Sequence, residues 1–221
     1  MSQSYDWSEL TDEDPEDDLL ARYNTACRTF DSLVRMAHPH KRLLIIYSTR
    51  QSSRSTLLRK YRLICMRRCI PVALVDCKEV NSTSEMLASW VSRLDVCGVT
   101  LPTCSTALAD CYTHPNQGRE RPDALQALTE DFVCDLARVA AHQRIVLMID
   151  GFERTTTVES WLCALAQRLP ENVLLIIAGQ AIPDWGKTWK NWKARAEIVE
   201  LEAVEDLSTL IRLYLPYCMP G

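Results

Sequence analysis

The sequence has no apolar run approaching the roughly 20 residues of a membrane span, so no segment reads as one that crosses a bilayer. Its first 18 residues contain no Lys or Arg and carry eight acids (Asp6, Glu9, Asp12, Glu13, Asp14, Glu16, Asp17 and Asp18). An acidic start lacks the basic-then-apolar order of a signal peptide. Such a block repels itself and buries little, so residues 1–18 are expected to form a disordered head, either simply solvated or binding a partner. Among ten cysteines there is no C-x-x-C and no Cys/His cluster of zinc spacing. The closest pair, Cys65 and Cys69, is four residues apart in a helical stretch, and Cys134 and Cys163 sit inside apolar runs. They are expected to be small core residues in a reducing, cytoplasmic compartment. The four histidines (His38, His40, His114 and His142) fall in loops or at helix ends. No Ser/His/Asp or Cys/His set is spaced to share a pocket, which leaves no independent case for a hydrolase. Glycine is scarce as well: six in 221 residues, none before Gly98.

What is present is an alternation of short, wholly apolar runs with helical spacing. Leu19 to Met36 places apolar residues at 19, 20, 23, 26, 27, 30, 33 and 34, one face of a helix. This helical segment, taken as 19–37, is expected to open a folded domain over 19–221. Leu43–Tyr47, Pro71–Asp76, Ile145–Ile149 and Val173–Ala178 read as buried strands, and Ile198–Leu201 as a weaker fifth. Helices are expected from Ser55, over Met86–Leu94, Pro122–Ala141, Val158–Leu169 and Glu205–Leu215. The stretch from Val96 to Arg121, with Pro102, Pro115, Asn116 and Gly118, reads as a loop or insertion with one short helix near Thr106–Cys111. Apolar strands alternating with helices imply a parallel sheet covered on both faces, joined by right-handed crossovers.

In such a sheet, ligands sit at the carboxyl ends of the strands. Three ends stand out. The first is Ser48-Thr49-Arg50-Gln51-Ser52-Ser53-Arg54-Ser55-Thr56, between a strand and a helix. That is the setting and spacing of the phosphate-binding G-x-x-x-x-G-K-[ST] loop. Ser48 and Ser53 fall on its glycines, Arg54 on its lysine and Ser55 on its magnesium hydroxyl. The loop wraps phosphate with backbone N–H groups, which needs left-handed residues. A non-glycine residue there costs roughly 1–2 kcal/mol, so two serines tend to open or reshape it. Arg54 keeps a positive charge, but its planar fork is not lysine's compact ammonium. The second end is Ile145–Ile149 followed by Asp150, the strand-plus-acid pattern that holds magnesium in nucleotide hydrolases, with Glu153 a candidate to orient water. The third is Ala178-Gly179-Gln180, which would bring Gln180 near the phosphates.

Together these segments resemble the STAND class of P-loop NTPases, the AAA-related signalling ATPases of the NACHT and AP-ATPase groups, and especially a bacterial subset. The resemblance rests on Leu128–Val133, Leu147–Glu153, Trp161-Leu162, Leu169–Val173 and Ile177–Gln180 followed by Trp185. It runs from about Leu43 to Leu215. It implies a three-layer α/β sandwich around a five-stranded parallel sheet of order 5-1-4-3-2. It also implies ATP or ADP with Mg as ligand: Ser48, Ser53, Arg54, Ser55, Thr56 and Gln180 on the nucleotide, Ser55 and Asp150 on the metal, and Glu153 as catalyst. A protein partner, effector or sensor, is implied too. The departures fall on the same site. Both loop glycines and the lysine are replaced, Gln180 stands where the family has arginine, and Gly151 stands where a second acid is frequent. Such losses suit a pseudo-NTPase, acting mainly as an interaction or switch module with weak or no ATP hydrolysis and with no cofactor if the site is dead, better than a working ATPase.

Two further features carry charge. Trp185, Trp189 and Trp192 alternate with Lys187, Lys190 and Lys193, either a stripe able to stack bases, lie on a membrane surface or anchor a protein interface, or a helix packing its tryptophans inward. Arg59, Lys60, Arg62, Arg67 and Arg68 make one helix basic, a solvated face by default and a landing site for the acidic head by charge. Nucleic-acid binding through these two features is the third functional class that the sequence admits.

Overall fold

A computed structural model describes residues 15–36, 40–49, 51–113, 122–154, 158–180, 189–190 and 192–201. The elements in order are α1 (Pro15–Arg35), β1 (Leu43–Tyr47), α2 (Gln51–Arg67), β2 (Val72–Asp76), α3 (Thr83–Val96), α4 (Pro102–Thr113), α5 (Pro122–Ala140), β3 (Ile145–Asp150), a 3₁₀ turn at Phe152–Arg154, α6 (Glu159–Arg168), β4 (Val173–Gly179), a 3₁₀ turn at Lys193–Arg195, and β5 (Ala196–Glu200). The five strands form one sheet of order β2-β3-β4-β1-β5, and every pairing is parallel. This is the expected order.

The apolar strands supply two cores at once, because successive side chains point to opposite faces. Leu43, Ile45, Ala73, Val75, Ile145, Leu147, Ile149, Leu175 and Ile177 face α3, α4, α5 and α6. Leu44, Ile46, Val72, Val146, Met148, Leu174 and Ile176 face α1 and α2. Full burial of each such side chain contributes roughly 1.5–3 kcal/mol, so a one-residue slip of any central strand would be resisted from both sides. Tyr61 of α2 stacks on Phe30 of α1 at 4.1 Å between ring centroids. Trp90 of α3 stacks on Phe132 of α5 at 5.9 Å.

The elements depart from expectation in four places. Helix α1 begins at Pro15, so 15–18, expected to lie in the disordered head, are helical. Proline is tolerated at a first helical position, and acids there favour the helix dipole. The short helix near Thr106 is instead α4, starting at Pro102 for the same reason. Its third residue, Cys104, donates its N–H to the buried Asp135 carboxylate of α5 at 3.1 Å, a cap that the sequence did not advertise. Trp189 and Trp192 lie in turns and the adjoining 3₁₀ segment, not on a helix, and both are buried, while Lys190 and Lys193 stay exposed. Those two rings pack into the domain and cannot stack bases. Lys60, counted with the wet arginines, is 1% exposed and places its Nζ 5.7 Å from the centroid of the Tyr23 ring.

None of the nine described cysteines is in a disulfide. Cys27, Cys65, Cys77, Cys104 and Cys163 are core residues as expected, but Cys69, Cys97 and Cys134 are exposed. Arg50, Trp185, Lys187 and the helix expected over Glu205–Leu215 lie outside the described residues. No described helix is long and apolar enough to cross a membrane.

Candidate functional site

Strands β1, β3 and β4 are adjacent and end on the same side of the sheet, which brings Ser48, Asp150 and Gly179 together. The Ser48 N–H donates to the Gly179 carbonyl at 3.2 Å, extending the β1–β4 ladder to the point where the chain order reverses. That reversal is where ligands bind in open α/β sheets.

The segment after Ser48 is not a wide phosphate-wrapping loop. Helix α2 begins at Gln51, four residues before the Ser55 that the spacing suggested. Cys69, at φ 53°, is the sole described non-glycine residue with positive φ. The described residues around the turn therefore avoid the left-handed conformations that glycine would permit, and the chain enters the helix early. Helix α1 holds this turn from behind. The buried Tyr23 hydroxyl donates to the Ser53 carbonyl at 2.6 Å, and Tyr61 donates to the Ala26 carbonyl at 3.0 Å. Burial pushes the Tyr23 and Tyr61 hydroxyls above their ordinary range, so both stay protonated as donors. Sequence reasoning did not find this clamp. Its signal was a tyrosine on the apolar face of the first helix.

Arg54 is fully buried and turned into the site. Its Nη1 donates to the Ser48 carbonyl at 2.6 Å and its Nη2 to Glu153 Oε1 at 3.0 Å. Its Nε lies 3.9 Å from Asp150 Oδ1, an ion pair without a hydrogen bond. Both of those facing atoms, Arg54 Nε and Asp150 Oδ1, are buried without a hydrogen-bond partner. The Ser55 hydroxyl donates to Asp150 Oδ2 at 2.5 Å. Glu153 accepts a second bond on Oε2 from the Gln180 N–H at 3.0 Å. The 3₁₀ turn that carries Glu153 to this position starts after Gly151, whose φ of 74° is left-handed. A second acid at position 151 would have to adopt that conformation, at roughly 1–2 kcal/mol.

The structure thus gathers Ser48, Ser53, Arg54, Ser55, Asp150, Glu153 and Gln180 at one strand end. Gln180 takes part through its backbone, and its side chain is exposed. Thr56 is half-buried one residue further along α2. Desolvation raises the Asp150 carboxyl above the ordinary 3.8, and Asp76, its register partner on β2, adds to the rise. The Ser55 hydroxyl, Arg54 and the Gly151 N–H oppose it. Asp76 is a third acid at the strand ends. Its Oδ1 accepts the Lys78 N–H at 2.9 Å in a local turn. No cluster of three or more His, Cys, Asp or Glu able to hold a metal occurs among the described residues.

No protein-family model and no curated protein matches the chain. Solved structures do. Drosophila ORC bound to DNA superposes with a TM-score of 0.52 at 10% identity, over 89% of this chain and 98% of that one. Cdc6p from Pyrobaculum aerophilum gives 0.53 at 13% identity, over 98% of this chain and 51% of that one. Drosophila ORC bound to AT-rich DNA and Cdc6 gives 0.51 at 11%, over 93% and 66%. The chain therefore spans about half the length of the Pyrobaculum protein. The shared feature is the fold, a five-stranded parallel sheet with helices on both faces.

Proposed function

We propose that the chain is a STAND-like regulatory module that works by engaging a protein partner, effector or sensor, and has weak or no ATP hydrolysis. The observation that carries this reading is the inward Arg54. In a working site the loop cation meets phosphate, the strand acid meets magnesium and the second acid positions water. Here Arg54, Asp150, Glu153 and Ser55 answer one another. A nucleotide would have to break a buried ion-pair network before gaining anything from it.

The metal side of the site fits better than the phosphate side. Ser55 Oγ and Asp150 are hard oxygen donors of the kind magnesium takes, and Asp150 Oδ1 has lone pairs to spare. The phosphate side has an arginine turned inward and a helix over 51–55 where a glycine-lined cradle would be. No hydrolytic step is assigned, and Glu153 is committed to Arg54 and the Gln180 N–H.

Calorimetric titration with ATP and with ADP, each with magnesium, tests the proposal beside an Asp150→Ala control. No saturable heat up to millimolar nucleotide is expected. Micromolar binding by the native chain that is lost in the control would refute it. That result would establish the second reading, a divergent ATP switch in which Ser48, Ser53, Arg54, Ser55, Thr56 and Gln180 hold the nucleotide. The unpartnered Asp150 Oδ1 is the feature that favours it.

A further inference from the structure

Helices α1 and α2 run parallel, with matched ends: Tyr23 meets Ser53, Ala26 meets Tyr61, and Asp31 meets Arg68. Helix α2 carries charge of one sign. No Asp or Glu occurs between Asp31 and Asp76, whereas Arg59, Arg62, Arg67 and Arg68 of this stretch are exposed, as is Arg28 of α1. Asp31 is the acid on this face, and it is shared between Arg68, at 2.7 Å, and Arg35, at 2.8 Å. Arg28, Arg59 and Arg62 make no ion pair among the described residues. A groove of about 480 Å³ between the helices is lined by Cys27, Arg28, Asp31, Ile64, Arg67 and Arg68. The lining is therefore basic, with Ile64 as its apolar side chain and one acid, Asp31.

We propose that this groove is the docking site of the chain's own acidic segment, residues 1–14. Three observations select that occupant. The segment carries Asp6, Glu9, Asp12, Glu13 and Asp14 with no Lys or Arg, the charge complement of the face. It carries Tyr5, Trp7 and Leu10 between those acids, apolar anchors for the Ile64 side of the groove. It joins the fold at Pro15, the first residue of the helix that forms one wall of the groove. The reach suffices: fourteen extended residues span roughly 46 Å, and the 21-residue α1 is about 32 Å long. Tethering raises the segment's local concentration to the millimolar range, so modest charge and apolar contacts suffice to hold it. An external polyanion reaches the face only after displacing it.

Limited proteolysis of the full chain with a Glu-specific protease, scored at Glu9 and Glu13, tests the proposal. Cleavage should accelerate about fivefold in an Arg28→Glu, Arg67→Glu, Arg68→Glu variant, which reverses the cations lining the groove, in proportion to the undocked fraction. The same acceleration is expected in an Asp6→Asn, Asp12→Asn, Asp14→Asn variant, which leaves the folded domain untouched. It is also expected in about 1 M salt, where the Debye length falls to about 3 Å. A synthetic peptide of residues 1–14 corrects for protease response to salt and sequence, and thermal melts confirm that both variants fold. Cleavage of the native chain as fast as the free peptide overturns the proposal, as does equal cleavage in native and variant chains. A short DNA duplex that binds the native and Asp→Asn chains with equal affinity also overturns it, assigning the basic face to nucleic acid instead.

Discussion

Replacing Arg54 by Met keeps most of the aliphatic stem and removes the guanidinium from a site that is fully closed around it. The consequences follow from burial. Arg54 is 0% exposed, its neighbour Asp150 is 7% exposed and Glu153 is 23% exposed. Removing one partner of a buried ion pair typically costs about 3–5 kcal/mol, because the charge left behind is uncompensated. Glu153 keeps some water, so the lower end applies here, about 3 kcal/mol. For a domain of this size that is a drop in melting temperature of roughly 6–12 °C, read by circular dichroism at pH 7. The pH dependence gives an independent check. Asp150 has a folded pKa above its unfolded value of 3.8, so its contribution is fully present below the unfolded value and is lost as pH rises through the folded value. Arg54 is one of the groups holding that pKa down, so its loss moves the folded pKa further up. The deficit of the variant against the native chain should therefore shrink as pH falls from 7 toward the ordinary carboxylate range. A double-mutant cycle with Glu153→Gln should show coupling above about 1 kcal/mol. A melting shift under about 2 °C, with no coupling, would mean that Arg54 does not hold the acids, and the reading of a self-closed site would fall.

Two further substitutions probe the supports of the site. Tyr23→Phe leaves the buried Ser53 carbonyl without its 2.6 Å partner and should cost about 1–3 kcal/mol in urea unfolding. An unchanged midpoint would show that α1 does not clamp the turn. Trp189→Ala empties a fully buried site in which the indole also donates to Glu159 Oε1 at 3.0 Å, and should cost about 3–5 kcal/mol. A neutral result would return the indole to the surface, where it could stack bases.

The sheet was legible because its strands are apolar throughout. Leu43–Tyr47, Ile145–Asp150 and Val173–Gly179 are too apolar to be anything but doubly covered, and their order with the intervening helices leaves few right-handed windings. That Ser48, Asp150 and Gly179 would meet was legible too, since residues at strand ends meet wherever the strands are neighbours. The early start of α2 was not, although the missing glycines hinted at a reshaped loop. Helical spacing from Leu57 onward says little about its first turn, where no apolar residue marks the face. The Trp–Lys alternation misled in the opposite way. Its period fits a helix, but tertiary packing took Trp189 and Trp192 into the core in turns.

The sequence by itself determined the layers and which residues stand at the carboxyl ends of the strands, and its family resemblance implied the strand order. The layers follow from local patterns of apolarity. Only the tertiary structure decided what those residues do to one another. Whether Arg54 faces solvent, phosphate or the two acids depends on atoms up to 99 residues apart in the chain. The burial that makes their pairing strong exists only once β1, β3 and β4 lie side by side.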